Sequence, residues 1–289
     1  GSISTVPSNT RHTYQSCSFA VPMSGFETRE IAKLTEDGII RSIDYVASES
    51  PLSLVVESNE HGRHDLGITM RTKGSDRLLA LGFMYSEGII SSIDDVVNIE
   101  ILDDMARLEL SKSSNFDPEH HCRSSTVTSS CGICGRSSID GGLEETMPIL
   151  EEGLKISFEG VKHCLDSIAS KQNIFLQTGG SHACASFNQD GTIEMIFEDV
   201  GRHNAFDKLV GYYLEKGRLP LGNLCSFVSG RASFELVQKS IRAGFPIMIA
   251  IGAPSSLAVD LAKEHGMTLG CFAREESLKL FSGVRRVHP

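Results

Sequence analysis

Alternating hydrophobic and polar positions in the first third of the chain predict strands arranged around one helix. The predicted strands are residues 52–57, 96–101 and 106–110, and the last two are expected to pair across an Asp-Asp turn. Residues 75–84 have the apolar spacing of a helix, with Ser75 or Asp76 as the N-cap and Gly88 as its end. We therefore expect a small α+β unit here.

The second half of the chain has a different pattern, in which short apolar runs alternate with amphipathic segments. The predicted helices are residues 159–167, 205–214, 234–242 and 257–264, and the predicted strands are residues 174–177, 183–187, 192–197, 226–228, 247–251 and 268–272. The second and third of these strands are expected to form a hairpin across residues 189–191. Such alternation predicts an α/β fold with a mostly parallel sheet and helices on its faces.

The segment between these two parts is polar and rich in glycine. Residues 124–142 contain eight Ser or Thr residues and four glycines, a composition typical of a long loop. We therefore divide the chain into a disordered N-terminal segment (1–15), a smaller α+β domain (16–120), a flexible loop (121–142) and an α/β domain (143–289).

Composition argues against several classes of function. The chain has 289 residues and a formal net charge of -10, and a chain this acidic lacks the basic face that non-specific nucleic-acid binding needs. No apolar run approaches the ~20 residues of a membrane span, and no signal peptide follows Gly1-Ser2. The eight cysteines lie mostly in apolar or mixed contexts, in a chain too long to need disulfides. We therefore expect a cytoplasmic protein.

Four segments that follow predicted strands combine glycine or other small residues with polar groups. They are residues 178–182, 198–204, 229–233 and 252–256. Ligands of open α/β sheets bind at the carboxyl ends of the strands, and an arginine beside a helix N-terminus favours an anion. The candidate contacts are Gly179, Gly180, His182, Arg202, His203, Ser229, Gly230 and Arg231. We expect a phosphorylated or nucleotide-like ligand, although a single glycine after a strand is more often a simple turn.

Two of these residues, His182 and His203, are also candidate acid–base groups, or histidines that only order a loop by hydrogen bonding. Asp199 lies close to Arg202 in the sequence. We expect these two side chains to form an ion pair that shapes the turn.

Cys131 and Cys134 lie in the polar loop, with the CxxC spacing of a pair that holds a metal, cycles as a redox dithiol or carries sulfur. A zinc site needs about four ligands, and no second CxxC is present, although His120, His121 and Cys122 could complete one. A thioredoxin-like pair should open a helix directly after a strand, and the Ser/Thr/Gly flanks do not indicate this. A loop-borne thiol suits sulfur carriage, with the thiolate as the nucleophile.

Several runs of the sequence, taken in order, resemble one family. They are residues 49–52, 79–83, 87–90, 128–135, 178–182, 198–205, 207–208, 229–235, 253–259 and 268–274. The run Glu-Asp-Val-Gly-Arg-His-Asn-Ala at 198–205 is long enough to be highly specific. After about residue 16, most of the chain resembles the formate dehydrogenase accessory sulfurtransferases, the FdhD/NarQ family.

The resemblance implies a cytidine-deaminase-like α/β domain with a smaller domain, usually in a homodimer. It implies that a cysteine desulfurase supplies sulfur as a persulfide on the residue that matches Cys131, with Cys134 as a helper. The sulfur goes to the molybdenum cofactor, bound as a substrate in its bis(molybdopterin guanine dinucleotide) form, before that cofactor enters formate dehydrogenase. A permanently bound metal is not expected.

The family's cofactor-binding segment falls, by resemblance, just after the last predicted strand. It corresponds to Ala273, Arg274, Glu275, Glu276, Ser277 and Leu278. Two acidic residues stand here where glycine and basic residues are typical, and Arg274 is the candidate contact.

Two other functions stay open on the sequence alone. A zinc-dependent deaminase shares the implied fold, but that chemistry needs a His/Cys-x-Glu motif and a Pro-Cys-x-x-Cys motif. Here Ser130 stands before Cys131, and no His-x-Glu is present. A cofactor chaperone would bind the dinucleotide without moving sulfur.

Overall fold

The computed structural model of the chain describes residues 25–122 and 147–289. The first range contains a two-stranded hairpin and a four-stranded sheet with the order β4-β3-β6-β5. Its elements are β1 (Phe26–Thr35), β2 (Gly38–Ala47), β3 (Ser50–Ser58), β4 (Gly62–Arg71), α1 (Asp76–Ser86), β5 (Val96–Leu102), β6 (Met105–Leu110) and α2 (Pro118–His121). The predicted strands 52–57, 96–101 and 106–110 are confirmed, and β5 and β6 pair antiparallel as expected.

Helix α1 confirms the predicted helix, with one difference at its start. Ser75 occupies the N-cap position in a left-handed conformation, and its side chain makes no capping hydrogen bond. Asp76 instead lies in the first turn, where its carboxylate accepts two hydrogen bonds from Arg71. Gly88 has a φ of 79° just beyond the helix, so it supports the predicted end.

The second range contains a six-stranded sheet with the order β13-β12-β11-β10-β8-β9. Its elements are β7 (Ile156–Ser157), α3 (Phe158–Lys171), α4 (Asn173–Thr178), β8 (His182–Phe187), β9 (Ile193–Asp199), α5 (Arg202–Glu215), β10 (Cys225–Val228), α6 (Phe234–Arg242), β11 (Ile247–Ala250), α7 (Ser256–Glu264), β12 (Thr268–Arg274), β13 (Ser277–Ser282) and β14 (Val287–His288). Helices α5, α6 and α7 pack on one face of this sheet and α3 packs on the other. The predicted α/β fold, with helices on both faces of a sheet, is therefore present.

Two sequence predictions for this part are wrong. The sheet is mixed rather than mostly parallel, because only β10, β11 and β12 pair in parallel, whereas β8, β9 and β13 pair antiparallel with their neighbours. Residues 174–177 form most of the short helix α4 and not a strand. Its first backbone N–H groups donate to the carboxylate of Glu198, a long-range contact that the local apolar run does not reveal.

The two described ranges are joined by the packing of α1 against α5. At this crossing the backbones nearly touch. A Cβ atom at Gly82 would lie 1.8 Å from the carbonyl oxygen of Asp207, and one at Gly211 would lie 1.9 Å from the carbonyl oxygen of Leu78. Leu214 of α5 also belongs to the hydrophobic core of the four-stranded sheet. The predicted domain boundary near residue 120 stays a prediction. Helices α1 and α5, which lie on either side of it, share a hydrophobic core.

Within the part of the chain that the structure describes, no helix combines the length and apolar character needed to cross a membrane.

Candidate functional site

The directions of the strands bring the predicted ligand-binding segments to one edge of the six-stranded sheet. Strand β8 runs antiparallel to both β9 and β10, and β10, β11 and β12 are parallel. Strands β9, β10, β11 and β12 therefore end at the same edge, where β8 and β13 begin. We call this edge, with the turns that leave it, the strand-end crevice.

Three helices begin at the strand-end crevice, because α5, α6 and α7 follow β9, β10 and β11 directly. Their N-terminal N–H groups and dipoles favour negative charge at this edge. Gly201 at the start of α5 and Ser233 at the start of α6 supply no capping side chain, whereas Ser255 caps α7 through a hydrogen bond from the Ala258 N–H. The open caps of α5 and α6 leave N–H groups for an anionic ligand.

Close backbone contacts tie the turns of the crevice together. The Gly252 N–H donates to the Gly230 carbonyl over 2.9 Å, and a Cβ at Gly252 would lie 2.8 Å from that oxygen. The Ser229 hydroxyl accepts from the Ala183 N–H at 2.9 Å. Ser229 therefore holds the start of β8 against the end of β10, and Gly230 ties the end of β10 to the turn after β11, which places two predicted contacts near the centre of the edge.

His182 and Arg202 meet beside Gly230. A Cβ at Gly230 would lie 3.3 Å from His182 Nδ1 and 3.7 Å from Arg202 Cδ. Burial lowers the pKa of His182, and the positive charge of Arg202 lowers it further. His182 is therefore expected to be neutral near pH 7, able to donate or accept a hydrogen bond beside the arginine charge.

His203 is held inside the same edge by residues of α6. Its Nε2 lies 3.0 Å from Glu235 Oε2 and 3.2 Å from the Ser233 hydroxyl. Burial lowers the pKa of His203 more than the hydrogen bond to Glu235 raises it. Because the carboxylate of Glu235 can only accept, Nε2 carries the proton in the neutral ring and Nδ1 is left as an acceptor.

Two buried polar atoms at this edge have no hydrogen-bond partner among the described residues, namely Arg202 Nε and His203 Nδ1. Buried polar atoms are normally satisfied by protein, water or ligand. One is a donor, and the other is an acceptor when the histidine is neutral. A polar, anionic ligand fits these two atoms if it has an acceptor for Arg202 Nε and a donor for His203 Nδ1.

The predicted ion pair between Asp199 and Arg202 is wrong. Asp199 is fully buried, and its Oδ2 lies 2.8 Å from Lys208 Nζ and 3.1 Å from the Thr72 N–H. Its Oδ1 accepts from the Gly201 N–H at 2.8 Å and from Asn204. The turn is therefore held by a lysine nearly two helical turns further along α5, and Arg202 is left for the crevice.

Sequence reasoning assigned no role to several residues that shape the site. Glu198 accepts from Ser181 and from the first N–H groups of α4, which fixes the turn before β8. Thr72 follows β4 and reaches across to the Asp199 turn. The one signal in the sequence for these contacts was Lys208, because a charged residue within an apolar helix needs a buried partner.

Gly179 and Gly180 lie at the end of α4 and not after a strand, because residues 174–177 are helical. Gly179 has a φ of 65°, which suits a glycine at the end of a helix. A Cβ at Gly180 would lie 3.2 Å from the Cβ of Ala47, so this glycine packs against β2.

The segment 273–278 was expected to lie just after the last strand of the sheet. In the structure a further strand, β13, begins within it. The segment covers the end of β12, the turn at Glu275 and Glu276, and the start of β13, which is the outermost strand of the sheet beside β12. Ala273 is buried and Leu278 packs on the core beside α3, whereas Arg274, Glu275, Glu276 and Ser277 are exposed. Arg274 donates to the Ile251 carbonyl at 3.0 Å, so its guanidinium lies at the strand-end crevice.

Cys131 and Cys134 lie outside the described residues. Within residues 25–122 and 147–289, no three His, Cys, Asp or Glu side chains are grouped to hold a metal ion. Cys164, Cys184, Cys225 and Cys271 are buried, and burial raises the pKa of each thiol. These four thiols are poor nucleophiles because the thiolate is disfavoured.

Comparisons with known proteins agree on one family. Residues 47–288 match the model of the FdhD/NarQ family. The chain is 38% identical over 260 residues to the sulfur carrier protein FdhD of Saccharolobus solfataricus, covering 90% of this chain and 97% of that protein. It is 39% identical over 278 residues to the protein of the same name from Nocardia farcinica, covering 92% and 96%.

A solved structure has the same fold. It is the crystal structure of a candidate formate dehydrogenase accessory protein from Desulfotalea psychrophila, with a TM-score of 0.71 and 23% sequence identity. The match covers 91% of this chain and 99% of that chain. The mixed α/β architecture described above is therefore shared nearly from end to end.

Proposed function

The chain belongs to the FdhD/NarQ family, and from that membership we propose that it is a sulfur carrier in the maturation of a formate dehydrogenase. The observation that carries the proposal is the match to relatives named sulfur carrier protein, which extends over about nine-tenths of this chain. The CxxC pair at Cys131 and Cys134 supplies the chemistry that such a carrier needs.

The proposed first step is a thiol exchange. The Cys131 thiolate attacks the terminal sulfur of a persulfide on a cysteine desulfurase. A bond forms between Cys131 Sγ and that sulfur, the sulfur–sulfur bond of the donor breaks, and the donor cysteine leaves as a thiolate. No external oxidant or reductant is consumed, because one persulfide replaces another.

The proposed second step uses Cys134. Its thiolate attacks Cys131 Sγ, a disulfide forms between the two cysteines, and the terminal sulfur leaves as hydrogen sulfide anion. Two electrons pass from the thiols to the departing sulfur, and a thiol reductant later restores the pair. This step accounts for two cysteines with unequal roles.

The proposed recipient of the sulfur is the molybdenum cofactor in its bis(molybdopterin guanine dinucleotide) form, held as a substrate at the strand-end crevice. The open helix N-termini, Arg202, Arg231 and Arg274 favour its phosphates. The unpartnered Arg202 Nε and His203 Nδ1 support a polar ligand there. We further propose that the functional unit is a homodimer.

Sulfur loading is tested by incubating the purified chain with a cysteine desulfurase and L-cysteine, followed by intact-mass and peptide mass spectrometry. We expect the mass of one added sulfur atom on Cys131 in the unaltered protein and in Cys134→Ala. Cys131→Ala should gain none, and Cys122→Ala is the matched control that should load normally. Equal loading of Cys131→Ala would contradict the proposal.

Ligand binding is tested separately with guanosine diphosphate as the probe in isothermal titration calorimetry. We expect Arg202→Ala to weaken binding about tenfold or more, in line with the loss of one charge-assisted hydrogen bond. Arg63→Ala, an exposed arginine at the start of β4, should bind as the unaltered protein does. Equal affinity of the two variants would contradict ligand binding at the strand-end crevice. It would not affect the proposed loading of sulfur on Cys131.

A further inference from the structure

Thr72 lies in the turn between β4 and α1, but its polar groups bind residues that are distant from this turn in the sequence. It is 1% exposed. Its backbone N–H donates to Asp199 Oδ2 at 3.1 Å, and its carbonyl accepts from Lys208 Nζ at 2.9 Å. Its hydroxyl accepts from the Val200 N–H at 3.1 Å and donates to the Ser48 carbonyl at 3.0 Å. Three of these four contacts are therefore with the turn from β9 to α5 or with α5 itself.

The turn from β9 to α5 depends on contacts from outside the helix. Gly201, the N-cap residue of α5, has no side chain that could accept the first N–H groups of the helix. The N–H of Val200 donates to Thr72, and the N–H of Gly201 donates to Asp199 Oδ1 at 2.8 Å. A residue that follows the four-stranded sheet therefore helps to set where α5 begins.

The backbone N–H of Thr72 also helps to fill the acceptor sites of Asp199. A carboxylate offers about four such sites. Those of Asp199 accept from Lys208 Nζ, the Thr72 N–H, the Gly201 N–H and Asn204 Nδ2. Arg202 follows three residues after Asp199, and its buried Nε has no partner among the described residues. Because the carboxylate is already occupied, Arg202 is available to an anionic ligand.

The end of β4 supplies two further contacts to the first turn of α5. The Thr69 hydroxyl donates to Asn204 Oδ1 at 3.0 Å, and Asn204 Nδ2 donates to the Met70 carbonyl at 2.7 Å. Asn204 is buried. Residues 69–72 therefore hold residues 199–204 at several points, and Thr72 is the one among them that binds the turn directly before Arg202.

We propose that Thr72 is a positioning residue for the anionic ligand of the strand-end crevice. Its N–H and hydroxyl hold residues 199–201 in the conformation that leaves the first N–H groups of α5 and the Arg202 guanidinium for the ligand. The proposal deepens the proposed function and rests on its ligand-binding part. It does not depend on which molecule supplies sulfur or on how Cys131 is loaded.

Two substitutions isolate the hydroxyl of Thr72. Thr72→Val keeps the shape of the side chain and the backbone N–H, but it leaves the Val200 N–H without its acceptor and the Ser48 carbonyl without its donor. A polar group left unpaired in this way is costly, so the turn is expected to shift. Thr72→Ser removes only a methyl group and keeps both hydrogen bonds.

The affinity test uses guanosine diphosphate as the probe in isothermal titration calorimetry. We expect Thr72→Val to weaken binding about threefold to tenfold, the size of one ordinary hydrogen bond. Thr72→Ser should bind within about twofold of the unaltered protein.

The matched control for the affinity test is Thr268→Val. Thr268 is also fully buried, and its hydroxyl donates to the Gly283 carbonyl at 2.7 Å. It lies at the start of β12, at the edge of the sheet opposite the strand-end crevice, so this variant should bind normally. Unchanged affinity in Thr72→Val, or an equal loss in Thr72→Ser or Thr268→Val, would overturn the proposal.

Hydrogen exchange examines the turn in the absence of ligand. We expect Thr72→Val to speed the exchange of the Val200 and Gly201 amides, whereas the amides of β12 keep their rates. Faster exchange throughout the six-stranded sheet would indicate a general loss of stability and would overturn the proposal. If the unaltered protein bound no guanosine diphosphate, the ligand of the proposed function would be contradicted. A local change at residues 200–201 would then still show that Thr72 positions the turn.

Discussion

His203 shows how one carboxylate sets the properties of a buried side chain at the site. Burial lowers the pKa of His203, and Glu235 offsets part of that change through the contact at Nε2. The same contact fixes which nitrogen carries the proton. Glu235 therefore sets the hydrogen-bonding direction of the ring, whereas burial keeps the pKa of His203 below its ordinary value.

We predict that Glu235→Ala lowers the pKa of His203 further, because the protonated ring loses its carboxylate partner. The measurement is a titration of the ring by two-dimensional NMR, with exposed His163 on α3 as the internal control. A pKa of His203 that stayed the same or rose in the variant would contradict the assigned contact.

A second prediction concerns pH and stability. His203 has a lower pKa in the folded chain than its ordinary value of about 6.5, so the folded state binds fewer protons than the unfolded state just below that pH. The free energy of unfolding should therefore fall as the pH drops from about 6.5 toward the folded pKa. His203→Gln should reduce this slope in denaturant titrations at several pH values, and an unchanged slope would count against the buried, neutral ring.

The partners of Asp199 could not be predicted from proximity in the sequence. Asp199 was predicted to pair with Arg202, its near neighbour, but its partner is Lys208, which the rotation of α5 brings under the turn. Thr72, which donates its backbone N–H to the same carboxylate, lies 127 positions away in the sequence. No local pattern indicates such a partner, whereas the polar residues at the strand ends could be identified from their types alone.

Among the elements, the crossing of α1 and α5 is the most constrained contact. Gly82 and Gly211 bring the two helix backbones together, and no side chain larger than hydrogen fits at either position without movement. Leu79 and Leu81 of α1 are buried in the core of the four-stranded sheet, to which Leu214 of α5 also belongs.

We predict that Gly211→Ala destabilises the protein by about 1–3 kcal/mol or more, since its Cβ would overlap the Leu78 carbonyl and force the helices apart. Urea unfolding measures the change. Gly222→Ala, where a Cβ would meet nothing within 4 Å, should alter stability by only a few tenths of a kcal/mol. Comparable losses in the two variants would show that the crossing is not tight.

Most helices and strands could be predicted because their signals are local. The helix at 234–242 matches α6 at both ends, and the hairpin at 183–197 is confirmed in β8 and β9. The short apolar run at 174–177 was assigned wrongly because its period does not distinguish a strand from a helix. Contacts with Glu198 decide its conformation.

At the scale of the whole molecule, a buried ion pair connects three helices. Asp207 of α5 accepts from Ser86 of α1 and from Lys239 of α6, all of them buried. Burial raises the pKa of Asp207, and the lysine charge counteracts that effect. The pair therefore sits where the cores of the two sheets meet.

We predict that Lys239→Met lowers the free energy of unfolding by about 3–5 kcal/mol near pH 7, because the Asp207 carboxylate is left buried without a counter-charge. The loss should shrink at low pH, where Asp207 is protonated. Arg218→Met, which removes an exposed pair with Glu194, should cost no more than about 1 kcal/mol. Equal losses in chemical denaturation would contradict the role given to the buried pair.

Strand directions belong to this largest scale, and they explain why the sheet was predicted incorrectly. The order of elements along the chain indicates alternating strands and helices but not that β8 inserts antiparallel between β9 and β10. The predicted meeting of the segments at one edge still held, because β9 runs in the same direction as β10.

The contact of α1 with α5 also has a consequence for biosynthesis. A ribosome releases α1 long before α5, and at about 5–20 residues per second the delay is on the order of ten seconds. During that interval the glycine-bearing side of α1 has no helix to pack against. A nascent chain paused before residue 202 would therefore expose this uncovered surface of α1 to chaperones at the exit of the ribosomal tunnel.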